Sequence, residues 1–186
     1  MDMKIFFDTE FTGLHKNTTL ISIGLVAENG DKIYAELNDY DKSQIDEWLQ
    51  KNVMDNLMYD GRPEWDTPDW YHYGDSKFIR ERILAWLYKF GQIEWVSDVC
   101  HYDFVLLIDL LYGHALNMPY GEHNAACHDI NQDIAKHFGT SEISAFDMSR
   151  EQLLKNANIE IKGSKHNALY DAEVIKAIYG TIQSNI

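Results

Sequence analysis

Positive charge is scarce in this sequence. Sixteen Lys and Arg stand against thirty Asp and Glu, a formal net charge of −14. That balance argues against a protein that grips nucleic acid by broad phosphate neutralisation. It leaves room for an enzyme that brings divalent ions to a phosphate, because the ions supply the positive charge locally. Cysteine is scarcer: Cys100 and Cys127 stand in no C-x-x-C spacing, which argues against a disulfide framework and suits reduced, buried thiols. His123, Cys127 and His128 match no zinc-finger pattern, and no second pair follows. No apolar stretch approaches membrane-spanning length, so no membrane contact is expected. The start, MDMKIFF, has no charged leader followed by a long apolar run; a cytoplasmic location is the expectation. There is no P-loop and no G-x-S-x-G elbow, hence no sequence case for an ATPase or a serine hydrolase. Internal repeats, low-complexity stretches and linkers are lacking too, so residues 1–186 are expected to form one domain.

What is present is apolar and aromatic. The hydrophobic fraction is 45%, with five Trp, eleven Tyr and eight Phe, enough for a sizeable core. Lys4 to Thr9 reads as a central strand, followed by strands at Leu20 to Ala27 and Lys32 to Leu37 joined by an Asn-Gly turn. Asp41 to Val53 reads as helix, with Ser43 as its cap. Residues 55–74 carry two of the three prolines and no period, and read as a long loop. Asp75 to Phe90 repeats Phe78, Ile79, Ile83, Trp86, Leu87 and Phe90 at helical spacing. A fourth strand is expected at Ile93 to Ser97 and a helix at Tyr102 to Leu111. After a loop at Pro119 to Asn124, three helices follow: Asp129 to Phe138 stopped by Gly139, Met148 to Asn156 with Asp147 as cap, and Ala168 to Ile182. The order implies an α/β protein with a mixed sheet flanked by helices, the first strand central.

The stretch FFDTEF, residues 6–11, ends an apolar strand in two carboxylates. Asp8 and Glu10 are two apart, so both point to one face. Burying either charge costs several kcal/mol unless something positive joins them. A divalent cation is the economical partner, and oxygen-only ligands favour Mg²⁺ or Mn²⁺ over zinc. Further acids are candidates to converge. Asp171 borders the apolar stripe of the last helix, made of Ala168, Ala172, Ile175, Tyr179 and Ile182, and faces the body of the protein. His166 sits at or before the start of that helix. Asp103 opens the helix after the fourth strand, where the helix dipole alone would favour an acid. Asp98 and Asp109 are weaker competitors. Asp129, in HNAACHD at 123–129, is a second candidate for Asp103's place.

FDTEFTGL, the HYD of residues 101–103 and HNALYDA at 166–172 resemble, in order, the three motifs of the DEDDh, DnaQ-like 3′–5′ exonucleases. The chain is most similar to the small ribonuclease T-like exoribonucleases. It departs from the family in the middle motif, where C-H-Y-D stands for H-N-x-x-F-D. The resemblance implies an RNase H-like fold and a metal-dependent 3′–5′ exoribonuclease acting on the 3′ ends of single-stranded RNA. RNA over DNA rests on the group resemblance alone; a proofreader-like DNA exonuclease and a catalytically silent nucleic-acid-binding module are the alternatives. By the resemblance two divalent ions, Mg²⁺ or Mn²⁺, are held by Asp8, Glu10, Asp103 and Asp171. Asp8 bridges them, Glu10 and Asp171 hold the ion that binds the attacking water, and His166 is the general base. Activity is then expected to rise as pH climbs through the His166 titration. Phe11, Thr12, Gly13 and Leu14 are implied to contact the terminal nucleotide, with core packing the other reading of Phe11 and Leu14. Lys162 and Lys165 are either phosphate contacts or solvated lysines, and Trp65, Trp70 and Tyr71 either stack bases or pack on the core. The resemblance also allows a homodimer, since some relatives complete the groove from a second subunit.

Overall fold

A computed structural model describes residues 2–119 and 121–184. The chain runs β1 (Met3–Phe11), β2 (Leu20–Ala27), β3 (Lys32–Leu37), α1 (Glu47–Asn52), β4 (Tyr71–Gly74), α2 (Ser76–Leu87), β5 (Ile93–Ser97), α3 (His101–Tyr112), β6 (His123–Asp129), α4 (Ile130–Phe138), α5 (Glu142–Phe146), α6 (Arg150–Asn156) and α7 (Ala168–Ser184). Six strands form one sheet in the order β4-β3-β2-β1-β5-β6. β2 is antiparallel to β1 and β3, whereas β4 runs parallel to β3, and β5 and β6 parallel to β1. The sheet is mixed and helix-flanked, of the RNase H-like kind. None of the described helices is long and apolar enough to cross a membrane.

Alternation along β1 sorts its side chains between two cores. Ile5 and Phe7 pack with Ile79, Ile83 and Leu87 of α2 and Leu106, Leu107 and Leu111 of α3. Phe6 points the other way, into Ile134 of α4, Leu154 of α6 and Val174, Ile175 and Ile178 of α7. Each aliphatic side chain so buried stabilises by about 1.5–3 kcal/mol. Asp8 and Glu10 share the Phe6 parity, so the strand delivers both carboxylates to the α7 side.

Several elements differ from expectation. β4 lies within the segment expected as loop, and β6 begins in the loop expected to end at Asn124 and runs on to Asp129. Both are edge strands and partly exposed, so neither needs an apolar run. The expected helix at 41–53 is a single 3₁₀ turn at Lys42–Gln44 and then α1, each with its own aspartate cap: Asp41 accepts from Ser43 N and Asp46 from Leu49 N. Ser43 is therefore inside the turn. Asp129 ends a strand, not a loop, and caps α4 by accepting from Asn131 N. Ser149, not Asp147, caps α6, accepting from Gln152 N. Gly139 ends α4 in the left-handed conformation, φ 63.

The long segment between α1 and α2 is held by one buried carboxylate. Glu36 of β3 is 1% exposed and accepts from the backbone N–H of Met58 and Tyr59 and from the Tyr71 hydroxyl. Glu36→Ala orphans three donors, at about 1–3 kcal/mol for a buried polar group left unpaired. The expected result is a loss of stability of roughly 3 kcal/mol in denaturant melts, with new proteolytic cleavage between residues 57 and 71.

Candidate active site

Where β1 ends, Asp8 stands opposite Gly24 and Glu10 opposite Ser22 of β2, and the register shifts just after Glu10. α7 lies over this end of the sheet and contributes Asp171 from its first turn. One carboxylate oxygen from each of Asp8, Glu10 and Asp171 lies within 4.8 Å of the others. Asp103 arrives from the other side, on the first turn of α3, and is 7% exposed. Its Oδ1 accepts from Thr9 N at 3.0 Å and Thr9 Oγ1 at 2.5 Å. Asp103 is thus outside the tight trio, but it lines the same cleft, of about 970 Å³. Asp129 does not line it; its Oδ1 is taken by Asn131. Asp109 is exposed on α3.

His166 lies two residues before α7, in the left-handed region at φ 64. That backbone turn lets its N–H donate to Asp171 Oδ2 at 2.8 Å. The imidazole lines the cleft edge-on to the Trp48 ring, 5.2 Å between centroids. Asn56 steadies this segment, accepting from Ser164 Oγ and donating to the Lys165 carbonyl.

Burial and neighbouring acids disfavour the charged form of all four. Burial first, then Asp103, Asp171 and Glu10, holds Asp8 well above the ordinary carboxylate range. Burial and then Asp171 and Asp103 push Glu10 up to about 8. Burial lifts Asp171 to about 7 against the pull of the His166 N–H and Lys165. Asp103 rises to about 6, again through burial, its Thr9 hydrogen bonds opposing. Among the described residues no Lys, Arg or His side chain forms an ion pair with any of the four. An all-carboxylate donor set lacking a protein cation fits a hard divalent ion.

A pH dependence follows for the metal-free protein. Each of these carboxyls has its folded-state pKa raised above its unfolded value, so the folded state holds the extra protons. Stability is therefore greatest at acid pH and falls as pH rises from about 4 to about 8. In chelator, Tm is expected to drop across that window. Saturating Mg²⁺ or Mn²⁺ should remove the drop, because the ions stabilise the charged form. A Tm that climbs with pH in chelator would contradict this.

The FTGL segment is divided in its engagements. Phe11 is partly buried and stacks on Tyr102, 5.6 Å between centroids. The Thr12 hydroxyl donates to Gln44 Oε1 and accepts from Thr19 N. Gly13 N donates to Thr18 Oγ1, and Leu14 is 78% exposed on the cleft rim. Lys165 lines the cleft and Lys162 does not. Trp65, Trp70 and Tyr71 are absent from the cleft wall: Trp65 is exposed, Trp70 lies under Lys32, and Tyr71 is buried on Glu36. His123 bonds to Tyr112 and His128 to Asp133. Among the cleft residues that sequence reasoning missed are Trp48, Phe146, Thr9 and Arg150. Trp48 and Phe146 carry no local signal beyond an apolar residue at an exposed helical position. Thr9 is foreshadowed only by lying between the two acids. Arg150 lies 52 residues from its partner Asp98.

No family model matches the chain. A curated 3′-5′ exoribonuclease of Mycobacterium tuberculosis is 31% identical over 112 residues, 58% of this chain and 61% of the relative, so the match spans about three-fifths of that protein. A 3′-exonuclease solved with 3′-end-specific recognition of a histone mRNA stem-loop superposes with a TM-score of 0.68 at 12% identity, over 98% of this chain and 64% of that one. Pop2p of S. pombe, in its Mg²⁺- and Mn²⁺-bound form, superposes with a TM-score of 0.60 at 16% identity, over 97% and 82%. In fold, this chain is similar to these 3′-exonuclease structures.

Proposed function

We propose that this chain is a metal-dependent 3′–5′ exoribonuclease that removes nucleotides from the 3′ ends of single-stranded RNA. The observation that carries the reading is the convergence of Asp8, Glu10 and Asp171 beside His166 in an open cleft. The similarity to a curated 3′-5′ exoribonuclease favours RNA as the substrate. Asp8, Glu10 and Asp171 would hold one divalent ion, and Asp8 with Asp103 a second. When bound, such ions stabilise charge on the attacking and leaving oxygens of an in-line displacement. The chain's own residues do the rest. Thr9 fixes Asp103 through two hydrogen bonds. The bond from His166 N to Asp171 ties the imidazole to the carboxylate cluster. Burial and Lys165 hold the imidazole pKa below its ordinary value, so it is neutral at pH 7 and free to accept a proton from water. Leu14 on the rim and Phe11 on Tyr102 offer apolar surface to the terminal bases.

The test is incubation with 5′-labelled single-stranded RNA and DNA of one sequence, in Mg²⁺, Mn²⁺ or chelator. A ladder shortening from the 3′ end of the RNA, dependent on metal and absent in Asp8→Ala, is the expected outcome. Degradation of DNA alone would move the substrate class, and no degradation of either strand would leave a binding module.

A further inference from the structure

The cleft is lined by carboxylates beyond the proposed ligand set, and Asp98 is the one among them that an arginine engages. Asp98 follows β5 directly and lines the same wall as Asp8, Asp103 and Asp171. Unlike them, it has a cation. Arg150, the first residue of α6, meets it two-pronged, Nε donating to Oδ2 at 2.6 Å and Nη2 to Oδ1 at 2.9 Å. The remaining guanidinium hydrogens are also engaged. Nη2 donates to Asn131 Oδ1 at 2.6 Å, and Nη1 to the carbonyls of Ala145 at 2.8 Å and Met148 at 2.9 Å. A guanidinium has five N–H donors, and these five bonds use them all. Arg150 is therefore the wrong residue for gripping a substrate phosphate, although it is the arginine of the cleft wall.

The engagement is built from several sides. Asn131 of α4 donates to Asp98 Oδ1 and to Asp129 Oδ1, both at 2.8 Å. The side chains of Arg150 and Asp98 are only 16% and 20% exposed. Between Asp98 and α3, Val99 is held at φ 54. That left-handed conformation costs a β-branched residue roughly 1–3 kcal/mol, and persists only where the surroundings impose it. The Asp98–Arg150 pair flanks it on one side and the Asp103–Thr9 bonds on the other. Asp98 also acts at a distance: its charge is among the causes that raise the carboxyls of Asp8, Asp103 and Asp171.

We propose that Arg150 is a positioning residue that neutralises Asp98 and keeps it out of the ligand set, thereby setting the charge that the cluster offers to divalent ions. The inference rests on the reading of that cluster as a metal site. It makes a prediction of opposite signs. Arg150→Met leaves an uncompensated carboxylate beside the cluster, and Mn²⁺ should bind about tenfold more tightly. Asp98→Asn leaves an uncompensated guanidinium, and Mn²⁺ should bind about tenfold more weakly. The double variant removes both charges and should return to within about twofold of the parent protein. Turnover should fall in Arg150→Met, where Asp98 competes for the ion, and recover in the double variant.

The experiment is a Mn²⁺ titration of chelator-stripped protein, read by loss of the free-ion EPR signal, with thermal melts of each variant alongside. Opposite shifts in the singles and recovery in the double support the proposal. A purely structural arginine predicts weakened binding in both singles and no recovery, and that result overturns it. Should Arg150→Met fail to fold, Arg150→Gln takes its place: tighter Mn²⁺ binding supports the proposal, unchanged or weaker binding overturns it. Parent protein that binds no Mn²⁺ at all would instead refute the metal site itself, and the inference with it.

Discussion

Asp171→Asn is expected to stop metal-dependent 3′ trimming while leaving the fold intact. The substitution keeps the shape of the side chain and an oxygen to accept from His166 N. It removes one charge from a trio whose ligand oxygens lie within 4.8 Å of one another. A bound divalent ion supplies several kcal/mol of charge stabilisation, each 1.36 kcal/mol being tenfold in rate, so a loss of at least about 10²-fold is expected. The same variant should be more stable than the parent in chelator at neutral pH, because a carboxyl raised to about 7 by burial no longer has to ionise among like charges. His166→Asn makes the contrast. It should cost about 10²–10⁴ in single-turnover rate, as loss of a general base does, yet leave Mn²⁺ affinity nearly unchanged. Single-turnover rates and Mn²⁺ titrations on the two variants separate ligand from base. If His166→Asn lost metal binding and rate together, its assignment as base would be wrong.

The parts of the fold that could be read in advance are those in which burial writes a pattern. β1, β2, β3 and β5 lie near the centre of the sheet and are apolar through most of their length, so their runs mark them. β4, YHYG, and β6, HNAACHD, lie at the two edges, and composition cannot tell such strands from loops. α5 was invisible for a related reason: five residues make little more than one turn, and two of its apolar side chains, Ile143 and Phe146, are exposed. The candidate site was legible where an acid interrupts an apolar surface. Asp8 and Glu10 do so on a strand at spacing two, and Asp171 does so beside the buried stripe of α7. Asp98 and Arg150 leave no such mark. Either alone is an ordinary surface residue in sequence, and only the packing of α6 against the end of β5 makes them a pair.

Gly24→Ala is the substitution by which fold and site should fail together. Gly24 sits in the middle of β2, paired with Asp8 across the ladder. A Cβ there would lie 2.4 Å from the Ala168 carbonyl oxygen and 2.5 Å from Leu169 Cα. Those are backbone atoms at the start of α7, so no side-chain rotation relieves the contact. The helix start must lift away from the sheet, at about 1–3 kcal/mol for overpacking of this kind. Asp171 lies three residues further along α7 than Ala168, and His166 two residues before Ala168, so the lift carries the proposed ligand and the proposed base away from Asp8 and Glu10. A displacement of about 1 Å at a catalytic group can cost about 10²-fold in rate. Gly180→Ala is the matched control. It lies in the same helix with nothing within 4 Å of its added Cβ, and should stabilise by up to about 1 kcal/mol at unchanged activity. The expected pattern is a lower Tm, weaker Mn²⁺ binding and slower trimming in Gly24→Ala, none of them in Gly180→Ala. A Gly24→Ala protein that melts lower but trims RNA at the parent rate would mean that α7 can move without moving the site. The close approach of Ala168 to β2 would then serve stability alone.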